Sequence, residues 1–257
     1  MNNLIIIAHP DKKSFCYNGI YNTIKTTLNA KNETVRVIDL YEENISFSFG
    51  EEKVKEYKDL ITWTDRIYII SPVWWFRTTP ALESFFDQIF TPGFAYNFIP
   101  ISKLYGYPKP LLSHKKVRTY LTHGAPGLPV LFLYLNSVKL RLIMGVYSFV
   151  FGWFKTKTRQ FWSVPFVSQE KRQEYLQSVK RDIKQDLNNI ISQLFDYASG
   201  NFTSRTEFTH QDDNLDALIM GINILGEELE DRTISRDYFT AIFNRSFNLI
   251  FVLFIYF

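Results

Sequence analysis

Residues 66–86 read RIYIISPVWWFRTTPALESFF. Arg66–Ser71 is a short apolar run rich in isoleucine, the pattern of a strand buried on both faces. Farther on, Thr79 suits a helix N-cap and Pro80 the first helical position. Leu82, Phe85, Phe86, Ile89 and Phe90 then recur at helical spacing as one apolar stripe. The chain therefore passes from strand to helix through Pro72, Val73, Trp74, Trp75 and Phe76. Any single ring there more often closes a core than faces a ligand. Three rings in a row cannot all hide on alternating faces, so at least one is expected in a pocket, where a flat ligand ring would lie.

The same alternation runs outward in both directions. LIIIA, residues 4–8, reads as a first strand. It is followed by a helix whose face carries Tyr17, Ile20, Tyr21, Ile24 and Leu28. TVRVIDL is a second strand, and a polar stretch and a helix ending near Trp63 follow it. KVRTYLT, residues 116–122, is a fourth strand after RIYIIS, and TRQFWSV a weaker fifth. Between these two, Leu131–Phe149 is expected to form one helix. After Ser168 a further helix sets Leu176, Val179, Ile183, Leu187, Ile190 and Leu194 on one side. Strands alternating with helices argue for parallel βαβ units with right-handed crossovers. The expected fold is α/β, a doubly wound five-stranded parallel sheet of order 2-1-3-4-5 with a C-terminal helical extension. The domains are read as 1–197 for the sheet domain and 198–257 for an extension of unknown role. In that extension LDALIMGINILGEELED reads as a short amphipathic helix after the polar linker-like SGNFTSRTEFTHQDDN.

Composition sets the outer bounds. The 257 residues are 46% apolar and 21% charged, which is globular rather than disordered. A net charge of +3 on 55 charged groups is too balanced to argue for nucleic acid. The one cysteine, Cys16, permits no intrachain disulfide and fits a reducing, cytoplasmic setting. LPVLFLYLNSVKLRLIMGVYSFVFGWF, residues 128–154, is interrupted by Asn136, Lys139 and Arg141 and reads as a buried or interfacial helix rather than a span. The closing FNLIFVLFIYF is too short to span alone. A membrane-peripheral placement stays open on these two stretches.

In an open parallel sheet, ligands bind beyond the carboxyl ends of the strands at the switch in strand order. Loops after the first, third and fourth strands should therefore meet. After the first comes AHPDKKSF, with His9, Lys12, Lys13 and Ser14 ahead of a helix N-terminus suited to a phosphate. The plain alternative is a polar loop with Ser14 as cap. After the fourth comes THGAPG, where Gly124 and Gly127 allow close backbone approach and Thr122 and His123 carry donors. The plain alternative there is a tight turn with a solvent-facing histidine. No P-loop, no GxGxxG and no metal-ligand cluster is present.

AHPDKKSF, SPVWWFRTTPALESFFDQIFTPGFAY and THGAPG, in this order and spacing, resemble the flavodoxin-like NAD(P)H:quinone oxidoreductase family. That family includes quinone reductases, drug-activity modulators and ancillary oxidoreductases of potassium-efflux systems. The likeness covers about residues 1 to 195, and its middle motif is the most specific. It implies a bound flavin, FMN or FAD, with NAD(P)H as co-substrate and no metal. His9, Ser14 and Phe15 would hold the phosphate-bearing chain. Pro72, Val73, Trp74, Trp75 and Phe76 would run along the isoalloxazine, and Thr122, His123 and Gly124 would meet its polar edge. Tyr96, in GFAY, would line the substrate face, from a partner subunit if the protein is a homodimer. His123 and Tyr96 are thus the expected catalytic side chains. Where the family has Asn after Ser-Phe, this chain has Cys16.

The activity so implied passes two electrons, as hydride, from NAD(P)H through the flavin to a quinone or similar acceptor. The cofactor carries the chemistry, and the protein supplies orientation and electrostatics. Two readings from other classes compete with it. One is a redox-sensing regulatory subunit of a membrane transporter with little turnover. The other is a flavodoxin-type one-electron carrier, which fits poorly with a mildly basic chain and a His-Pro-Asp-Lys-Lys loop.

Overall fold

The computed structural model describes residues 1–42, 48–101, 106–153, 156–184, 187–206 and 213–232. The chain divides into two compact units, the first ending at Lys180 and the second beginning at Arg181. The closing FNLIFVLFIYF lies outside the described residues, as does part of the polar stretch before it.

The first unit is built on a parallel sheet. Its strands are β1 (Asn2–Ile7), β2 (Thr34–Asp39), β3 (Arg66–Pro72), β6 (Lys116–Thr122) and β7 (Thr156–Phe161). They stand in the order β2-β1-β3-β6-β7, which is 2-1-3-4-5 by position, as expected. β3 is buried along its whole length and β1 from Asn3 onward, because helices cover both faces of these central strands. β2 and β7 lie at the edges and keep an alternating, half-exposed pattern.

One face of the sheet presents Leu4, Ile6, Ile67, Ile69, Val117 and Leu121 to a continuous apolar core. That core is filled by α2 (Glu51–Trp63), by α3 (Pro80–Ile89) and by residues 138–151. Strand alternation sends Ile5, Ile7, Tyr68 and Ile70 to the opposite face. A π-helical turn at Phe15–Tyr21 and the α1 helix (Asn22–Ala30) that continues it bury Ile20, Ile24 and Leu28. Leu176, on α7 (Gln169–Lys184), reaches Gly19, where an added Cβ would sit 2.7 Å from the Phe15 ring. Phe15 is thus wedged between the turn it starts and the loop it serves.

Three features depart from the pattern. First, an antiparallel ribbon of β4 (Tyr96–Pro100) and β5 (Gly106–Pro110) is inserted between α3 and β6. Its prolines and half-exposed residues carry no strand periodicity, and a two-stranded ribbon tolerates proline on its free edges. Second, the single helix expected over Leu131–Phe149 is broken. It consists of α4 (Gly127–Phe132), α5 (Ser137–Leu140), a π-helical turn at Arg141–Tyr147 and α6 (Ser148–Val150). Leu135 and Asn136 both adopt φ of 50°, which ends α4 and re-aims the chain. Third, Thr79 occupies the N-cap of α3 and Pro80 its first turn, yet Thr79 Oγ1 makes no cap bond and is buried without a partner. Proline's fixed φ, rather than the hydroxyl, starts this helix.

The second unit contains α8 (Leu187–Ala198) and α9 (Asp213–Arg232), the latter being the expected amphipathic helix of the extension. Gln193 there bonds Tyr197, Ser204 and Asn223, which pins the chain between the two helices. Among the described residues no helix is long and apolar enough to cross a membrane.

Candidate functional site

β1, β3 and β6 end side by side, with Ile7 paired to Ile70 and Pro72 to Thr122. Backbone bonds carry the alignment past the strands: Ala8 N donates to Ile70 O at 2.9 Å, and Val73 N to Thr122 O at 2.8 Å. The three following loops therefore meet around one cavity of about 420 Å³, within the usual range for a small-molecule site. His9, Ser14 and Phe15 line it from the first loop, and Pro72, Val73 and Trp74 from the second. Thr122, His123 and Gly124 line it from the third.

The remaining expected residues lie elsewhere. Trp75 projects from the loop and is 91% exposed. Phe76 stacks on Tyr134 with ring centroids 4.2 Å apart. Tyr96 packs edge-on against Phe98 and Phe149 and does not line the cavity. Gly127 does not line it either. Its lack of a Cβ serves the Trp162 indole, which would stand 3.1 Å from one. At Gly124 an added Cβ would meet nothing within 4 Å, consistent with its place on the cavity wall.

Trp74–Arg77 closes a two-residue hairpin through paired backbone bonds of 2.9 and 3.1 Å. Its central residues, Trp75 and Phe76, have φ of 51° and 57°. That conformation is usual for Asn-Gly and costs a bulky residue roughly 1–2 kcal/mol. The hairpin turns Trp74 to the cavity, 6.0 Å from the His9 ring, and Trp75 away from it.

The polar groups have defined states. Asp11 N donates to His9 Nδ1 at 3.0 Å, leaving Nε2 to carry the proton of a neutral ring. Burial lowers the His9 pKa, against the opposing effect of Asp11. Ser14 caps the first helical turn through a 3.4 Å contact from Tyr17 N while lining the cavity, so the structural and the site role coincide. Lys12 is engaged: it pairs with Asp39 and lies over the Tyr17 ring, and Tyr17 also bonds Asp39. Cys16 is buried with Sγ 3.3 Å from Thr122 Oγ1, and burial pushes its thiol up to about 12, so it is no thiolate near neutral pH.

His123 is buried, not solvent-facing, and its ring lies 4.2 Å from Trp162. Its Nε2 stands 3.1 Å from Gln160 Oε1, and desolvation lowers its pKa to about 4. The ring is neutral at pH 7. Its one proton goes to Gln160, and Nδ1 is left as an acceptor.

Two lining groups escape sequence reasoning. Val164 and Pro165 close the cavity from the segment after β7. Arg172, on the first turn of α7, also lines it; its guanidinium donates to Pro165 O at 3.3 Å, while its buried Nε has no partner. A buried unpaired nitrogen on a cation is costly unless an anion meets it. In the sequence Arg172 is one charge of QEKRQEY, indistinguishable from a solvated helix face. Among the described residues no group of three or more His, Cys, Asp or Glu is placed to hold a metal.

Residues 1–130 match the protein family described as having a flavodoxin-like fold. The chain belongs to this family. A Haemophilus influenzae NAD(P)H oxidoreductase is 27% identical over 137 residues, or 49% of this chain and 65% of that protein. The match thus spans less than two thirds of that relative's length. The structure of an NAD(P)H:quinone oxidoreductase from Methanothermobacter marburgensis aligns with a TM-score of 0.58 at 20% identity. That alignment covers 70% of this chain and 96% of the other. An FMN-dependent NADH-azoreductase from Bacillus anthracis, solved with FMN, gives a TM-score of 0.57 at 15% identity, covering 71% and 98%. At these identities the two structures bear on the fold alone.

Two predictions come from the site. Trp75→Asn relieves the left-handed strain and removes little packing, so urea denaturation should show a gain of up to about 1 kcal/mol; a loss contradicts the strained-turn account. The second concerns His123, whose native pKa of about 4 lies below its ordinary 6.5. The unfolded chain therefore takes up the proton first on acidification. The stabilisation is complete above 6.5 and is lost as pH falls toward 4. Unfolding midpoints compared at neutral and mildly acidic pH should fall less for His123→Gln than for the parent. Some slope remains from His9, shifted in the same direction. Equal slopes for the two proteins would contradict a buried neutral His123.

Proposed function

We propose that the three-loop cavity holds a flavin, FMN in particular, and that the protein is an NAD(P)H-dependent oxidoreductase acting on a quinone or similar planar acceptor. One observation carries the reading: the loops after β1, β3 and β6 converge on a single cavity that Arg172 also lines. An anionic group beside that guanidinium and the Ser14 helix start fits a phosphate ester. The kinship with the Haemophilus NAD(P)H oxidoreductase supports the reaction class, and the FMN of the Bacillus azoreductase supports the choice of flavin.

When bound, the flavin supplies two-electron transfer between a nicotinamide and the acceptor. The chain's own groups bind and orient. Arg172 and Ser14 would take the phosphate, and His9 would offer its Nε2 proton to the polar side chain of the cofactor. Trp74 and Val73 would wall the ring system. The neutral His123 would add no positive charge at the ring edge, and its backbone is held in the third loop by bonds to Phe161 and Val164. Gly124, with no side chain, would let its backbone N–H stand at that edge, where negative charge develops on reduction.

Purified protein titrated with FMN should quench flavin fluorescence at one equivalent, and it should then oxidise NAD(P)H in the presence of a quinone. Arg172→Ala should weaken FMN binding about tenfold or more, with Arg172→Lys partly restoring it. Absence of flavin binding by the parent protein would overturn the reading.

A further inference from the structure

The third loop is fastened along its length to β7 and the segment that follows it. His123 N donates to Phe161 O at 2.8 Å, Val164 N to His123 O at 2.9 Å and Ser163 N to Ala125 O at 3.0 Å. Side chains continue the seam. The Trp162 ring lies against the His123 ring with centroids 4.2 Å apart, and Gly127 leaves the indole room. Tyr175, on α7, donates to the Trp162 carbonyl at 3.1 Å. Gln160, the last but one residue of β7, sets its Oε1 3.1 Å from His123 Nε2.

His123 lines the cavity, whereas Gln160 and Trp162 do not. The Nε2 edge of the ring is thus turned toward β7, away from what the cavity holds. A neutral imidazole carries one proton, and an amide oxygen facing Nε2 fixes it there. Other titratable groups surround the ring. His9 and Asp11 from the first loop, Cys16 from the π-helical turn and Arg172 from α7 share the cavity with it. Among the described residues, the one side-chain hydrogen bond to the imidazole is that of Gln160. Gln160 therefore sets the tautomer.

A carboxylate in place of this amide would pair with Nε2–H and favour the imidazolium, as an opposite charge at such a distance does. A cation beside a ring that gains negative charge on reduction would favour the reduced form. Glutamine has the shape of glutamate without its charge, and so withholds that cation.

We propose that Gln160 is a positioning residue: it keeps His123 neutral with its proton outside the cavity, and so holds the reduction potential of the bound flavin low. A low potential favours passing electrons on to an acceptor over retaining them. The inference rests on the flavin reading above and names a residue that tunes the same site from outside it.

The test has two arms. In the flavin-free full chain at pH 7, nitrogen NMR should show His123 protonated at Nε2 and bare at Nδ1. In Gln160→Glu the His123 pKa should stand at least about one unit above the parent's. With FMN bound, spectroelectrochemical titration of Gln160→Glu should show reduced flavin favoured over oxidised about tenfold more than in the parent. That is a midpoint about 30 mV higher. The double variant His123→Gln/Gln160→Glu should return the midpoint to the parent's value or below it, because the effect runs through the imidazole. Circular dichroism should match the parent's throughout. A proton on Nδ1 in the parent, or an unmoved midpoint in Gln160→Glu, would overturn this inference and leave flavin binding standing. So would a midpoint that rises equally in the double variant. A parent that binds no FMN would overturn the proposed function, and this inference with it.

Discussion

The parallel register between β1 and β3 is the constraint on which the rest depends. Ile7 opposite Ile70, and Pro72 opposite Thr122 one strand over, bring three chain segments far apart in sequence to one edge of the sheet. Because the strands are buried on both faces, a slip of one residue would exchange their two apolar faces and expose polar backbone. The register is therefore held by the whole core, and the cavity takes its shape from the core rather than from the loops.

The loop after β3 shows how one short segment divides its labour. Val73 is anchored by its bond to Thr122, Trp74 faces the cavity, and Phe76 joins the α4–α5 surface through Tyr134. Trp75 is sent to solvent by two consecutive left-handed residues. The run of rings that no alternating pattern could hide is resolved by a hairpin, not by a thick core. Cavity wall and outward-facing side chains thus divide four consecutive residues between them.

Much of the sheet was legible because β1, β3 and β6 are short continuous apolar runs, and in parallel sheets such runs mean burial on both faces. The loop residues His9, Ser14, Trp74 and His123 were legible because strand ends at a switch point are where ligands bind. Other parts left no periodic signal. β4 and β5 carry prolines and half-exposed residues, so their pairing is a tertiary fact. The break at Leu135 and Asn136 lies inside an apolar run that local propensity would carry straight through. Arg172 looks like any helix-surface cation until the fold carries it beneath Pro165. The protonation state of His123 likewise depends on Gln160 and Trp162, which are close only in space.

The most direct measurement is a crystal structure grown with FMN. The account predicts a tricyclic ring system between the Trp74 and His123–Gly124 loops, with its phosphate on Ser14 and Arg172. A cavity holding only solvent, or a flavin bound away from the ends of β1, β3 and β6, would contradict it.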